Sequence, residues 1–218
     1  MRGSERGVQL KSMPKKTKPK PIRVGREEAR ERLIQSTIAL LESGQMDDLL
    51  VDAITEHAGL ASGHVLVHRY FGSRLDLLSE VAHRLAAQLV EGLNGDFETF
   101  QDVSITPVDY LGSFARHTGI IRKRALVINE LALHGASPAL HSEATRRILD
   151  SLQQIFELVE IPPRAARATA LNMLTLVSVE VTLSEWMGVT AEERHDLRRL
   201  TQLELGFASQ ISKILGWE

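Results

Sequence analysis

Cysteine is absent from the 218 residues, which excludes a disulfide framework, a thiolate nucleophile and any zinc site built on cysteine. Long apolar runs are missing too. The longest uncharged apolar stretch, Ala168 to Val179, has 12 residues, against the ~18 to 20 needed to cross a bilayer. The first residues lack the apolar centre of a signal peptide, so the expected location is the cytoplasm, with no membrane partner. Proline does not occur between Pro21 and Pro107, which leaves a long stretch free to be helical. No glycine-rich phosphate loop is present. In Gly59-Leu60-Ala61-Ser62-Gly63 the serine stands one place too late for a nucleophile elbow. What is present is ordinary for a globular chain of one domain or a small pair: 43% apolar and 25% charged residues.

The formal net charge of −2 conceals a division along the chain. Residues 1–26 hold nine Lys/Arg against the single acid Glu5, a local charge of +8, while the other 192 residues hold 17 basic and 27 acidic groups, or −10. Between Met13 and Pro21, lysines at 15, 16, 18 and 20 alternate with prolines at 14, 19 and 21. Such a segment cannot form a helix and has almost nothing to bury, so residues 1–24 are expected to be a basic disordered tail. Lys18, Lys20 and Arg23 suit phosphate neutralisation. A solubilising leader is equally compatible with the same charges.

From Val24 onward the pattern is helical. Leu33, Ile34, Ile38 and Leu41 recur at spacings of three and four, predicting an amphipathic helix over about 26–43 that ends at Gly44. A short helix over about 50–57 stops at Gly59, and a third, capped by Ser62, reaches Tyr70. Ser73 and Asp76 form a capping-box-like start for a longer helix to about Leu93. Further on, Pro107, Pro138 and Pro163 mark helix starts, and Thr190 with Glu193 makes another capping box. Helices are expected over about 106–117, 119–134, 138–160, 163–187 and 190–215. The predicted architecture is all-α, about nine helices, without internal repeats.

A longer helix followed by two short ones joined by a tight turn has the size and order of a helix-turn-helix DNA reader. On the third helix Val67 and Phe71, four apart, belong on the inner side. Ser62, Gly63, His64, Leu66, His68 and Arg69 then lie on or near the outer side, where donors can address base edges or phosphates and Leu66 a thymine methyl. Tyr70, Ser73 and Arg74 lead into the next helix, whose N-terminal end favours a phosphate. A plain three-helix bundle would show the same periodicity.

The stretch Ala58-Gly59-Leu60, followed by His68-Arg69-Tyr70-Phe71-Gly72-Ser73-Arg74 and the pair Leu77-Leu78, resembles the DNA-binding segment of TetR-type (tetracycline-repressor-like) transcriptional regulators. Ile38, Leu40-Leu41, Gly44, Val51 and Ile54 are similar to that family's first two helices. The resemblance is specific over about residues 30–80 and elsewhere rests on helix number and length. It implies a reader at 25–72 and a larger helical domain at 73–218 that binds a small effector and dimerises. It also implies a palindromic double-stranded DNA operator and no cofactor. Two departures stand out. The segment between Gly59 and Phe71 is about two residues longer than the common form, which leaves open which of Ser62, Gly63, His64 and Leu66 meets a base. His68 and Arg74 replace a common tyrosine and lysine; arginine still holds a phosphate, and histidine brings a group that can change charge near neutral pH.

In the larger domain, the helix predicted at 163–187 is apolar around nearly its whole circumference, which implies contacts on more than one side. The helix predicted at 190–215 is amphipathic through Leu197, Leu200, Leu203, Phe207, Ile211 and Ile214. The resemblance implies that these last two helices pair with those of a second copy; an intramolecular core is the alternative. Asn172, Thr175, Ser178, Thr182 and Glu185 form a polar stripe that suits an effector cavity, an interface or solvent. Phe114, His117, Ile121, Asn129 and His134 could complete such a cavity.

The alternative to a regulator is a helical-bundle enzyme of the di-iron carboxylate type. Glu80-x-x-His83 and Glu192-x-x-His195 both match the pair that such bundles take from two helices. Glu192, however, sits in a first helical turn beside other charges, where glutamate ordinarily offsets the helix dipole. His64 and His68 could chelate a metal but have no evident third ligand. No catalytic or metal site is therefore expected.

Overall fold

The computed structural model describes residues 25–42, 49–60, 63–101 and 107–183, with side chains at 63, 107–111, 113, 114 and 181–183 left undescribed. The described residues form seven α-helices in sequence: α1 Arg26–Leu40, α2 Val51–His57, α3 Gly63–Phe71, α4 Arg74–Gln101, α5 Pro107–Leu133, α6 Ala139–Leu158 and α7 Pro163–Leu183. No strand occurs among them. The helix predicted at 190–215 lies outside the described residues.

Two boundaries differ from expectation. The helices predicted at 106–117 and 119–134 are one helix, α5, which runs unbroken through Gly119. A single glycine costs a helix only ~1 kcal/mol, less than burying Ile121, Ala125 and Val127 against neighbouring helices returns. α4 likewise continues past Leu93 and Gly95 to Gln101, because Phe97 and Phe100 still pack against the core.

Local signals placed most helix ends. Ser73 Oγ accepts the Asp76 backbone N–H at 3.1 Å and donates to the Asp76 carboxylate at 2.6 Å, the N-cap half of a capping box with the carboxylate holding the capping hydroxyl. Pro163 opens α7, and Pro138 immediately precedes α6. After α2, Gly59 adopts φ +67°, and the Gly59 and Leu60 N–H groups bond the Glu56 and Thr55 carbonyls at 3.0 Å. This is a Schellman ending, and its left-handed residue is what glycine is suited to.

The apolar side chains gather in two cores that share α4 and α5. One joins α1–α3 through Leu33, Ile34, Leu49, Ile54 and Val67 to Leu77, Leu78 and Leu85 of α4 and Val127 of α5. The other joins Leu89 and Leu93 of α4 and Ile121 of α5 to Ile148, Leu152 and Phe156 of α6 and Met173 of α7. The cores meet on α4 between Leu85 and Ala86, with Ile120 packed against both. The α1–α3 unit is thus seated on the first turns of α4 and the C-terminal part of α5. At Gly92, a Cβ would lie 2.5 Å from the His117 ring, so glycine is what lets α5 approach α4 closely there. Among the described residues, no helix is long and apolar enough to cross a membrane.

Candidate nucleic-acid interface and effector chamber

α3 is held from beneath by Val67, which is buried. At its end, Phe71 lies under the Arg30 guanidinium, 5.1 Å from ring centroid to Cζ. This fixes the opposite face outward. His64, Val65, His68 and Arg69 are all exposed, two adjacent pairs one turn apart that make a single stripe. Leu66, expected outside, instead packs partly against the reader core, and Tyr70 does the same. Val65, which the sequence pattern did not single out, is the exposed apolar residue, at 64%. The helical phase set by Val67 and Phe71 decides between these two neighbours, and a one-residue ambiguity in phase hides it from the sequence.

The stripe is chemically poised. His64 Nε2 stands 3.1 Å from Asp52 of α2. His68 Nδ1 lies 2.7 Å from the Gly72 carbonyl. A carbonyl only accepts, so Nδ1 carries the hydrogen; Nε2 of the neutral ring is then an acceptor, and becomes a donor on protonation. Ser73 is committed to its cap. Arg74 is drawn inward: Nε donates to the Leu49 carbonyl and Nη1 to Glu130 of α5, both at 2.8 Å. It ties the entry of α2 to the start of α4 and to the C-terminal part of α5. Lys123 of α5 reaches Glu42, just beyond α1, at 2.8 Å, and Arg84 of α4 holds Glu31 of α1 at 3.1 Å. Ser62, Lys18, Lys20 and Arg23 lie outside the described residues, and Gly63 begins α3.

The candidate effector residues divide. Ile121, Asn129, Thr175 and Ser178 line one cavity of 420 Å³ between α5, α6 and α7. His117 is instead paired with Asp96 of α4 at 2.7 Å. His134 is exposed, with Nδ1 2.9 Å from the carbonyl of Glu130, and Asn172 faces solvent. Phe114, Thr182 and Glu185 lie outside the described side chains. Leu89, Ile128, Ile148 and Leu174 supply apolar walls, and among the described residues Arg124 is the one charged group in the lining. Nothing in the polar stripe of α7 pointed to Arg124, although the run Arg122-Lys123-Arg124 stands out in the sequence. A larger groove of 840 Å³ runs along α4 and α6. Its charged walls, Glu91, Glu98, Glu143 and Arg147, are all exposed, so it resembles solvated surface more than a chamber.

Glu80 and His83 do not converge on a metal. Glu80 pairs with Arg30 at 3.3 Å, while His83 Nε2 lies 2.9 Å from the Leu140 carbonyl and its ring stacks on His141. Among the described residues no three His, Asp or Glu side chains are grouped to hold a metal ion. Glu192 and His195 lie outside those residues.

Among the described residues the architecture is all-helical, with the exposed α3 packed on α1 and α2 in the order of a helix-turn-helix and a larger helical bundle following. Among solved structures the chain is similar to a Mesorhizobium loti protein assigned to the TetR family of transcriptional regulators, with a TM-score of 0.60 at 14% identity over 86% of this chain and 98% of that one. The chain therefore has the TetR-like fold. No protein-family profile and no curated protein matches its sequence.

Proposed function

We propose that this chain is a dimeric, ligand-responsive DNA-binding transcriptional regulator, a repressor released from its operator by a small effector. The observation that carries the reading is the outward stripe of α3. His64, Val65, His68 and Arg69 stand in water on a helix fixed from below by Val67 and behind by a Schellman turn. Arg69 and the histidines suit base edges and phosphates, and Val65 a thymine methyl. Lys18, Lys20 and Arg23 suit the flanking phosphates, and the last two helices the contact with a second copy. Two recognition helices fit successive major grooves only when about 34 Å apart. An effector that prefers a chamber shape incompatible with that spacing shifts the population off DNA. The fold similarity supports the reading. So do the Lys123–Glu42 pair and Arg74, which bonds both Glu130 of α5 and the Leu49 carbonyl ahead of α2; together they tie α5, a wall of the chamber, to both sides of the α1–α2 connection.

The test is the double substitution His68→Ala with Arg69→Ala. DNA fragments bound by the wild-type protein should no longer be retained by the variant, whose affinity should drop by roughly 2–4 kcal/mol, on the order of 30- to 1000-fold. Its oligomeric state in sedimentation should not change. An unaltered footprint from the double variant sinks the proposal.

A further inference from the structure

Three consecutive cations on α5 meet different fates. Arg122 faces Glu180 at 3.6 Å and Lys123 faces Glu42 at 2.8 Å. Arg124 has no acidic partner among the described residues; its Nη2 donates instead to Thr145 Oγ1 of α6, at 2.7 Å. The Thr145 hydroxyl in turn donates to the His141 carbonyl at 3.0 Å, so it is oriented to accept from the guanidinium. Burial alone pushes the Arg124 pKa downward, as expected of a cation taken from water without a counter-charge.

Among the described residues, three buried polar side-chain atoms have no hydrogen-bond partner: Arg124 Nε and both ring nitrogens of His141. All are nitrogens. His141 is one turn before Thr145 on α6 and close enough to Arg124 for the guanidinium charge to disfavour protonating its ring. Arg124 and Thr145 line the 420 Å³ cavity; His141 and Thr145 line an adjoining one of 490 Å³, which shares Ile128, Ala132 and Thr145 with the first. Buried polar groups are nearly always satisfied, so the Arg124 Nε–H, a buried cationic donor without an acceptor, marks what a ligand brings, while the neutral His141 ring lacks one acceptor and one donor. The rest of the first cavity is mainly aliphatic, with Ile121, Ile128, Ile148, Leu171 and Leu174 in its walls. Its volume lies in the ~300 to 1,000 Å³ range of small-molecule sites.

We infer that the effector is an amphiphilic organic anion, its acidic head against Arg124 beside Thr145 and its hydrocarbon part among the aliphatic side chains of α5, α6 and α7. This rests on the proposed regulator's chamber and narrows what fills it. Thr145 holds the guanidinium in place before the ligand arrives, so little ordering is left to offset on binding. An oxyanion gives Nε the acceptor it lacks, in the planar geometry at which arginine excels.

Titration calorimetry of the full chain with octanoate, octyl phosphate and octanol separates the possibilities. Octanoate or octyl phosphate should bind at least about tenfold more tightly than octanol, since the alcohol brings neither a negative charge nor the second oxygen of an ion-paired, bidentate contact. The preferred anion identifies the head group. Arg124→Met should erase the preference and Arg124→Lys retain part of it. Equal binding of octanol and the anions, or no heat from either anion, overturns the inference, and neither outcome depends on a variant folding. Release of bound DNA is measured separately. Release by a neutral compound seated in this cavity would overturn the anion while leaving the regulator intact. Anion binding without any effect on DNA would leave the site standing and sink the regulatory reading.

Discussion

On α3, His64, His68 and Arg69 stand in water, and the contacts the two histidines make are light ones, to Asp52 and to the Gly72 carbonyl. On α5 and α6, Arg124 Nε and both His141 ring nitrogens are withdrawn from water and have no hydrogen-bond partner. The two regions use the same side chains under opposite conditions. A hydrated cation needs no protein partner, so α3 can expose basic groups at little cost to folding. A dry nitrogen without an acceptor costs ~1–3 kcal/mol, which the chamber must offset from its apolar packing. The wet stripe therefore reads as a surface for reversible docking, and the dry pair as a place completed by something else.

Phe156→Ala tests whether the regions are energetically one body. The side chain is 1% exposed in the chamber core, and its removal should cost about 3–5 kcal/mol. Leu33→Ala in the reader core should cost about 2–5 kcal/mol. Because the two cores meet on α4, each variant should still unfold in a single transition in urea. A biphasic melt from either would split the molecule into independent halves.

The link between the regions is next in size. Arg74 and Glu130 are 22% and 13% exposed, and a double-mutant cycle with Arg74→Ala and Glu130→Ala should show a coupling of about 1–2 kcal/mol in stability. If α5 carries the effector's signal, the same cycle should also weaken effector-driven release of DNA. Additive effects on both readouts would make this pair incidental.

The basic tail sharpens the reader's side. Removing residues 1–23 should weaken DNA binding and flatten its salt dependence by about 0.9 in log–log slope for each phosphate no longer neutralised. An unchanged slope in binding titrations between 50 and 200 mM salt, roughly the range over which such slopes are read, would leave the tail a solubilising leader.

The smallest effect belongs to His141. Burial, then the His83 and Arg124 charges, holds its pKa below the ordinary value of 6.5. Above about that pH the ring is neutral whether folded or not, and stability is indifferent to it. As pH falls below 6.5, the unfolded chain takes up the proton first and the folded state loses stability down to the folded pKa. The stability read from urea melts, taken from about pH 8 to about pH 5.5, should fall more steeply for the wild type than for His141→Gln. Parallel curves would remove His141 from the dry cluster.

Most of the α1–α3 region was legible in the sequence because its determinants are local. Gly59 ends α2 through its own backbone freedom, Ser73 and Asp76 cap α4 from three residues apart, and Val67 with Phe71 sets the inner face of α3. The all-helical class and the starts at Pro138 and Pro163 follow from the same short-range chemistry. Where long-range packing competes with a local signal, the local reading gave way. Gly119 suggested a break that the flanks of α5 override, and Leu66 traded places with Val65 once the helix was seated on its core. Of the seven chamber candidates with described side chains, Ile121, Asn129, Thr175 and Ser178 were brought together, whereas His117 was taken by Asp96 from a different helix.

What the sequence determined by itself is the all-helical character of the described residues, most of their helix starts and the turns around α2 and α4, set by residues within a few positions of one another, and the separation of a +8 segment from a −10 body. Only the tertiary structure decided which cations are paired. Arg74 finds Glu130 56 positions away and Lys123 finds Glu42 81 positions away, while Arg124, next along α5, meets a threonine. Charge balance across a core depends on which side chains the folded chain brings within a few ångströms, and no local pattern carries that information.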